Sequence, residues 1–172
     1  MKGVRRGMLV GLLVLTAVSA AGLAIRWALE PREPALQIVL LTGEERRVSL
    51  SQLLRFSAFT RRGEYQNQYG NWLDAGTYTG VLLRDLLGAA NYDRIDIVAA
   101  DGYRVTIDHA RIEDEEYPIV LAYAFNGVEV PEWSDGFRIV VLPEDGRVSN
   151  EEYRTTSAGS YWVKSVVRLT LQ

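Results

Sequence analysis

The sequence predicts an α+β domain, strand-rich with two short helices, standing behind an apolar N-terminal segment. Three observations predict it. From Leu36 onward the hydrophobic period is mostly two. Two strong hairpin signals, Asp101-Gly102 and Asn126-Gly127, each lie between short strand-like runs. Helical leucine spacing is confined to two short stretches. With 48% hydrophobic and 24% charged residues, the 172-residue chain has the apolar content for a packed core, which excludes bulk disorder.

The first element is of a different kind from the rest. Lys2, Arg5 and Arg6 precede an uncharged run from Gly7 to Ile25, closed by Arg26. That length lies between a signal-peptide core and a spanning helix, so residues 1–30 read either as a cleaved signal or as an uncleaved hydrophobic helix anchoring the chain. Val18-Ser19-Ala20 suits signal peptidase, whereas the continuation to Ile25 and Trp27 suits an anchor with an interfacial aromatic. In both cases the three leading cations place the N-terminus inside. The expected location is therefore the cell membrane with the domain on the extracytoplasmic side, or outside the cell after cleavage. Pro31-Arg32-Glu33-Pro34 opens a stiff linker over 31–35, and the domain proper spans 36–172.

Within the domain, Leu36–Leu41 reads as a buried strand and Thr42-Gly43-Glu44 as a turn. Val48–Leu54 offers a serine, Ser49 or Ser51, as helix cap before a leucine-bearing turn. Ser57–Tyr69 fits an extended ribbon. Val81–Ala90, with Leu82, Leu83, Leu86 and Leu87, predicts a helix stopped by Gly88 or Asn91. Ile95–Val98 and Tyr103–Ile107 flank the first hairpin turn, and Ile119–Phe125 and Val128–Val130 flank the second. Phe137–Leu142 and Trp162–Leu171 predict the last strands.

Composition then removes most chemistries. The sequence has no cysteine, which excludes disulfides, cysteine metal sites and a thiol nucleophile. His109 is its only histidine, so multi-histidine metal sites are excluded too. The net charge is -3, and because residues 1–30 carry +3, the remainder carries -6. Such a surface argues against nucleic acid as a partner and against anionic lipid.

Read in order, several segments resemble the molybdopterin-binding oxidoreductase domain of the sulfite oxidase family. Tyr69-Gly70-Asn71-Trp72 followed by Tyr78–Leu87 is similar to its "G-x-W … G-V-x-L-x-D-L-L" stretch. Ala100–Tyr103 resembles its "S-x-D-G-Y" turn, and Leu121–Gly127 its "L-A-Y-x-x-N-G" hairpin. Gly136–Pro143 resembles "G-x-P-x-R-L-V-V-P", with Phe137 in place of the first proline, and Tyr161–Val166 the closing "K-W-V-K-x-I". The resemblance implies mixed and antiparallel sheets with a β-grasp-like portion. It also implies molybdopterin as the family's cofactor, with molybdenum held by a cysteine thiolate lying within roughly 57–69. No cysteine stands there, and the soft thiolate has no equivalent among oxygen donors. Glu64 and Asp74 are the nearby carboxylates, and their spacing singles out neither. His109 falls on the wrong side of the Asp-Gly turn to match the family's phosphate-binding histidine.

The remaining candidates form a cofactor-like or ligand-binding set: Arg61, Arg62, Tyr65, Trp72, Tyr78, Arg138 and Lys164. Arginine with aromatic rings suits a planar anion, by bidentate bonds and stacking. The bland alternative for the same residues is solvated charge and core aromatics. Trp133 and Trp162 join the aromatic set on the same terms. Glu113–Glu116 with Asp108 reads as a solvated acidic loop, since the turn glycines of a calcium loop are missing. His109 reads as a surface residue at a helix start. The sequence thus predicts a ligand-binding or partner-binding module, tethered to the membrane and with no cofactor expected. The alternatives are a molybdopterin enzyme with a non-cysteine ligand and a structural subunit of a membrane complex.

Overall fold

The computed structural model describes residues 33–172, and the compact unit is Pro34–Gln172. The expected signal or anchor over 1–30, and the first part of the linker, lie outside the described residues. No helix among the described residues is long and apolar enough to cross a membrane.

Two sheets form the domain. The first joins the two ends of the described chain. Strand β1 (Ala35–Val39) runs parallel to the last strand, β11 (Val166–Leu171), with Ile38 opposite Leu169. On its other side β1 pairs antiparallel with β2 (Glu45–Ser49), through the turn at Thr42–Glu44. The order is β2-β1-β11-β5-β6, where β5 (Arg94–Ala99) and β6 (Arg104–Asp108) form the Asp101-Gly102 hairpin. Between β2 and β3 sits the one-turn helix α1 (Leu50–Leu53), whose entry is fixed by the Ser49 N–H donating to Gln52 Oε1 at 2.9 Å.

The second sheet is antiparallel apart from one edge. Strands β3 (Phe59–Gln66) and β4 (Trp72–Leu82) form a long hairpin, and β4 pairs with β7 (Ile119–Phe125). Beyond β7 lie β8 (Val128–Glu129) and β9 (Arg138–Val141), while β10 (Arg147–Val148) adds in parallel to β3. The β7–β8 turn is Asn126-Gly127 with both residues at positive φ (49° and 81°), the conformation that matches strand twist in a two-residue hairpin. Six of the seven residues of β7, Ile119–Ala124, are buried, so both faces of this central strand are covered and its apolar run is continuous rather than alternating. Residues from both sheets, among them Leu36, Ile97 and Leu169 with Val81, Leu121 and Ile139, belong to one buried cluster.

The structure corrects two boundaries and adds a strand. The helix expected over 81–90 is the shorter α2 (Leu83–Leu87), because Val81 and Leu82 pair with Leu121 and Val120 and remain in β4. Sheet pairing there overrides helical leucine spacing. Its stop is Gly88, whose N–H donates to Arg84 O at 2.9 Å. The strand expected from Trp162 begins only at Val166, after a 3-10 turn at Ala158–Tyr161. The charged strand β2 (Glu45–Ser49) was not expected at all. His109 opens the single turn α3 (His109–Ile112).

Candidate functional site

The densest grouping of charge and aromatic rings is built from three segments. The first is β4. Between Gly63 and Tyr65 the β3–β4 register slips, Gly63 facing Gly76 but Tyr65 facing Leu73, so β4 carries an extra residue. Asp74 sits at that bulge with φ 56°, a left-handed conformation unusual outside glycine. The second segment is Asp135–Arg138, leading into β9. The third is Trp162–Ser165, leading into β11. Backbone bonds lock the latter two together: Ile139 N–H to Val163 O at 2.9 Å, Val166 N–H to Phe137 O at 2.8 Å, and Ser165 N–H to Asp135 O at 2.7 Å.

At their meeting point lies Arg138, 2% exposed. Its Nη2 donates to Asp74 Oδ2 and its Nη1 to Asp135 Oδ2 at 3.0 Å. Lys164 Nζ bridges the same two carboxylates, at 3.6 Å from Asp74 and 3.2 Å from Asp135. Two cations and two anions thus form a neutral network, in which Arg138 Nε stays buried without a partner among the described residues. Burial works against the charged form of Asp74, but Arg138 and Lys164 outweigh it and hold the carboxyl below its ordinary range. Rings wall the network. The Arg138 guanidinium lies 5.8 Å from the Tyr78 ring centroid and 5.5 Å from that of Trp162. Tyr65 stacks tilted on Trp162 at 4.9 Å and points its hydroxyl at Asp74, and the Tyr78 hydroxyl donates to Asp74 O at 2.6 Å. Burial, followed by the nearby carboxylate, raises both phenols, so they remain protonated donors.

Of the seven sequence-derived site residues, the structure brings together Tyr65, Tyr78, Arg138 and Lys164. The other three lie elsewhere. Arg61 donates to Leu142 O at 2.9 Å and lines a separate concavity with Glu115, Glu116 and Asp145. Arg62, its neighbour on a strand, is exposed on the opposite face. Trp72 packs under Arg147, whose guanidinium is 4.1 Å from the ring centroid and whose Nε pairs with Glu64 at 3.1 Å. Asp135 went unrecognised in the sequence, where an aspartate three residues before an arginine carries no distinctive signal. Asp74 stood out only as an oxygen donor, not as the counter-ion it is.

The residues also decide whether the family's metal chemistry fits. The region in which the resemblance places the thiolate, roughly 57–69, includes β3. At its centre Gly63 is buried so tightly that a Cβ there would stand 2.5 Å from Leu142 Cδ2 and 2.9 Å from Trp162 Cη2. A side chain cannot enter without displacing both. The nearby carboxylates are engaged, Glu64 by Arg147 and Asp74 by Arg138 and Lys164. The residues present do not fit a molybdenum held by a protein thiolate or by one of these carboxylates.

With the geometry in view, the likenesses to known proteins are limited and consistent. No family model matches the sequence, and no curated protein matches it. Among solved structures, the sulfane dehydrogenase SoxCD from Paracoccus pantotrophus is similar with a TM-score of 0.59 and 19% identity, covering 80% of this chain. The fold is shared. The likeness supports the distant molybdopterin-oxidoreductase-like fold implied by the sequence motifs. The chain spans 38% of the length of that dehydrogenase.

Proposed function

We propose that this chain is an accessory domain on a sulfite-oxidase-type scaffold, held at the outer face of the membrane by its N-terminal segment. In this reading it binds a partner protein or a small ligand rather than a molybdenum centre. One observation carries the proposal: the sequence has no cysteine to ligate molybdenum, and the residues of the candidate cleft are packed and paired with one another. Gly63 is closed in by Leu142 and Trp162, and both cations of the candidate cleft are already neutralised by Asp74 and Asp135. A fold can persist while the site that gave it chemistry is rebuilt as packing. The apolar run Gly7–Ile25 behind three basic residues supports the membrane assignment.

The test is metal analysis of the full chain, produced in a host that makes the molybdenum cofactor and purified from its membranes. The expected result is molybdenum at background level. About one molybdenum per chain, with oxygen-atom transfer to a sulfur or nitrogen oxide, overturns the reading.

A further inference from the structure

The edges of the two sheets differ in how they are guarded. An unpaired strand edge invites pairing with another chain, and folded proteins blunt it with short strands, charges, proline or bulges. Among the described residues, β8 and β10 are only two residues long each. Strand β2 opens with Glu45-Arg46-Arg47, three charges in a row. Strand β9 is buried, and its Ile139 N–H is taken by Val163 O. Strand β6 ends the first sheet without such a guard. It reads Arg104-Val105-Thr106-Ile107-Asp108, with three β-branched residues at its centre and charges of opposite sign at its two ends. It holds no proline or lysine, and its register with β5 runs without a bulge.

The hairpin fixes which backbone groups of β6 face outward. At one end the Ala99 N–H donates to Tyr103 O at 2.9 Å, and at the other the His109 N–H donates to Asp93 O at 2.8 Å. In an antiparallel ladder such pairs recur at every second residue, so Val105 and Ile107 spend their N–H and C=O groups on β5. Arg104, Thr106 and Asp108 therefore turn theirs to the open edge. Their side chains share the sheet's outer face and are exposed, whereas Ile107 is buried and Val105 packs against the core cluster. The order of residues is self-complementary. Turned through a two-fold axis at Thr106, the strand sets Arg104 opposite Asp108, Val105 opposite Ile107 and Thr106 opposite itself. That same register pairs all three outward-facing residues, each pair exchanging two backbone hydrogen bonds. Opposite charges, β-branched residues and a threonine pair are all favourable cross-strand neighbours. Arg104 keeps its bond from Nη1 to Asp96 Oδ2 at 3.1 Å, and its other N–H groups remain for a second carboxylate. The Asp108 carboxylate makes no capping hydrogen bond to α3.

We propose that two copies of this chain form a two-fold dimer through antiparallel pairing of their β6 edges, Thr106 opposite Thr106 and Arg104 opposite the partner's Asp108. The five-stranded sheet then continues across the axis into that of the second copy. A pairing of five residues is a small interface, so dimer and monomer exchange with concentration. This interface lies outside the accessory role proposed above and is independent of the molybdenum result.

Because the sequence has no cysteine, one introduced thiol reports the interface without ambiguity. Facing residues of a hydrogen-bonded antiparallel pair stand about 5.5 Å apart at Cα, inside the span of about 4.4–6.8 Å that a disulfide bridges. The experiment oxidises the full chain in detergent carrying Thr106→Cys, or Glu45→Cys on the opposite edge of the same sheet. The expected result is a covalent dimer with Thr106→Cys and none with Glu45→Cys. Sedimentation equilibrium of the parent should show monomer and dimer in exchange. Asp108→Lys should weaken that dimer about tenfold, because two opposite-charge pairs become two like-charge pairs. Far-UV circular dichroism checks that this variant folds; if it does not, the contrast between the two cysteines decides alone. A parent that stays monomeric throughout, an undiminished dimer with folded Asp108→Lys, or equal cross-linking at positions 45 and 106 overturns the proposal.

Discussion

The ion network around Arg138 and the Tyr92–His109 contact treat buried polarity differently. Around Arg138, four charged side chains from three segments neutralise one another and two phenol hydroxyls join them, while Arg138 Nε and Trp162 Nε1 stay without a partner among the described residues. The Tyr92 hydroxyl and His109 Nδ1 are also buried and unpaired, but there the contact is between rings and not between ions. Breaking a buried ion network is costly, whereas deleting an unpaired hydroxyl costs little.

The largest expected effect comes from breaking the ion network. Arg138→Met leaves Asp74 and Asp135 facing each other with only Lys164 between them, and should cost about 3–5 kcal/mol, the range for removing one partner of a buried pair. Urea unfolding followed by tryptophan fluorescence measures it. A loss under about 1 kcal/mol would place the network with ordinary surface pairs.

A gentler change sharpens the same point through pH. The Asp74 carboxyl is held below its ordinary value of 3.8 in the folded chain. Its contribution is therefore fully present above the unfolded value and is lost as pH falls through the folded one. Asp74→Asn keeps a residue that tolerates positive φ and removes the titrating group. Stability measured from pH 6 down to pH 2 should fall less steeply in this variant than in the parent. Parallel curves would show that Asp74 does not couple to Arg138.

The smallest effect is expected beside His109. Tyr92→Phe deletes a buried hydroxyl that has no protein partner, so thermal stability should stay level or rise slightly. A marked loss would mean that this hydroxyl is already satisfied in the folded protein by a bound water or ligand.

How much of this was legible in the sequence differs between turns and contacts. Asp101-Gly102 and Asn126-Gly127 announced their hairpins because their backbone conformations are a local matter of residue type. A serine before the first leucine turn and Gly88 or Asn91 after the second marked helix ends for the same reason, and the structure uses Ser49 and Gly88. Arg61 and Arg62 both stand in the ligand-binding set, with solvated charge as the alternative, yet the period-two rule that places them on a strand already sends them to opposite faces. The helix read over 81–90 lost its first two residues because pairing with β7 outweighed leucine spacing.

The sequence by itself determined the strand-rich content, the turns, the absence of thiol chemistry and the residue types in the Arg138 region. Only the tertiary structure decided which charges meet. Strand period fixes the face on which a side chain stands, but its partner depends on register. Here one extra residue at the β4 bulge turns Asp74 toward an arginine 64 positions away. Likewise, the meeting of Tyr92 with His109 follows from where the segment leading into β5 meets the start of α3, because no local propensity links two side chains so far apart in sequence.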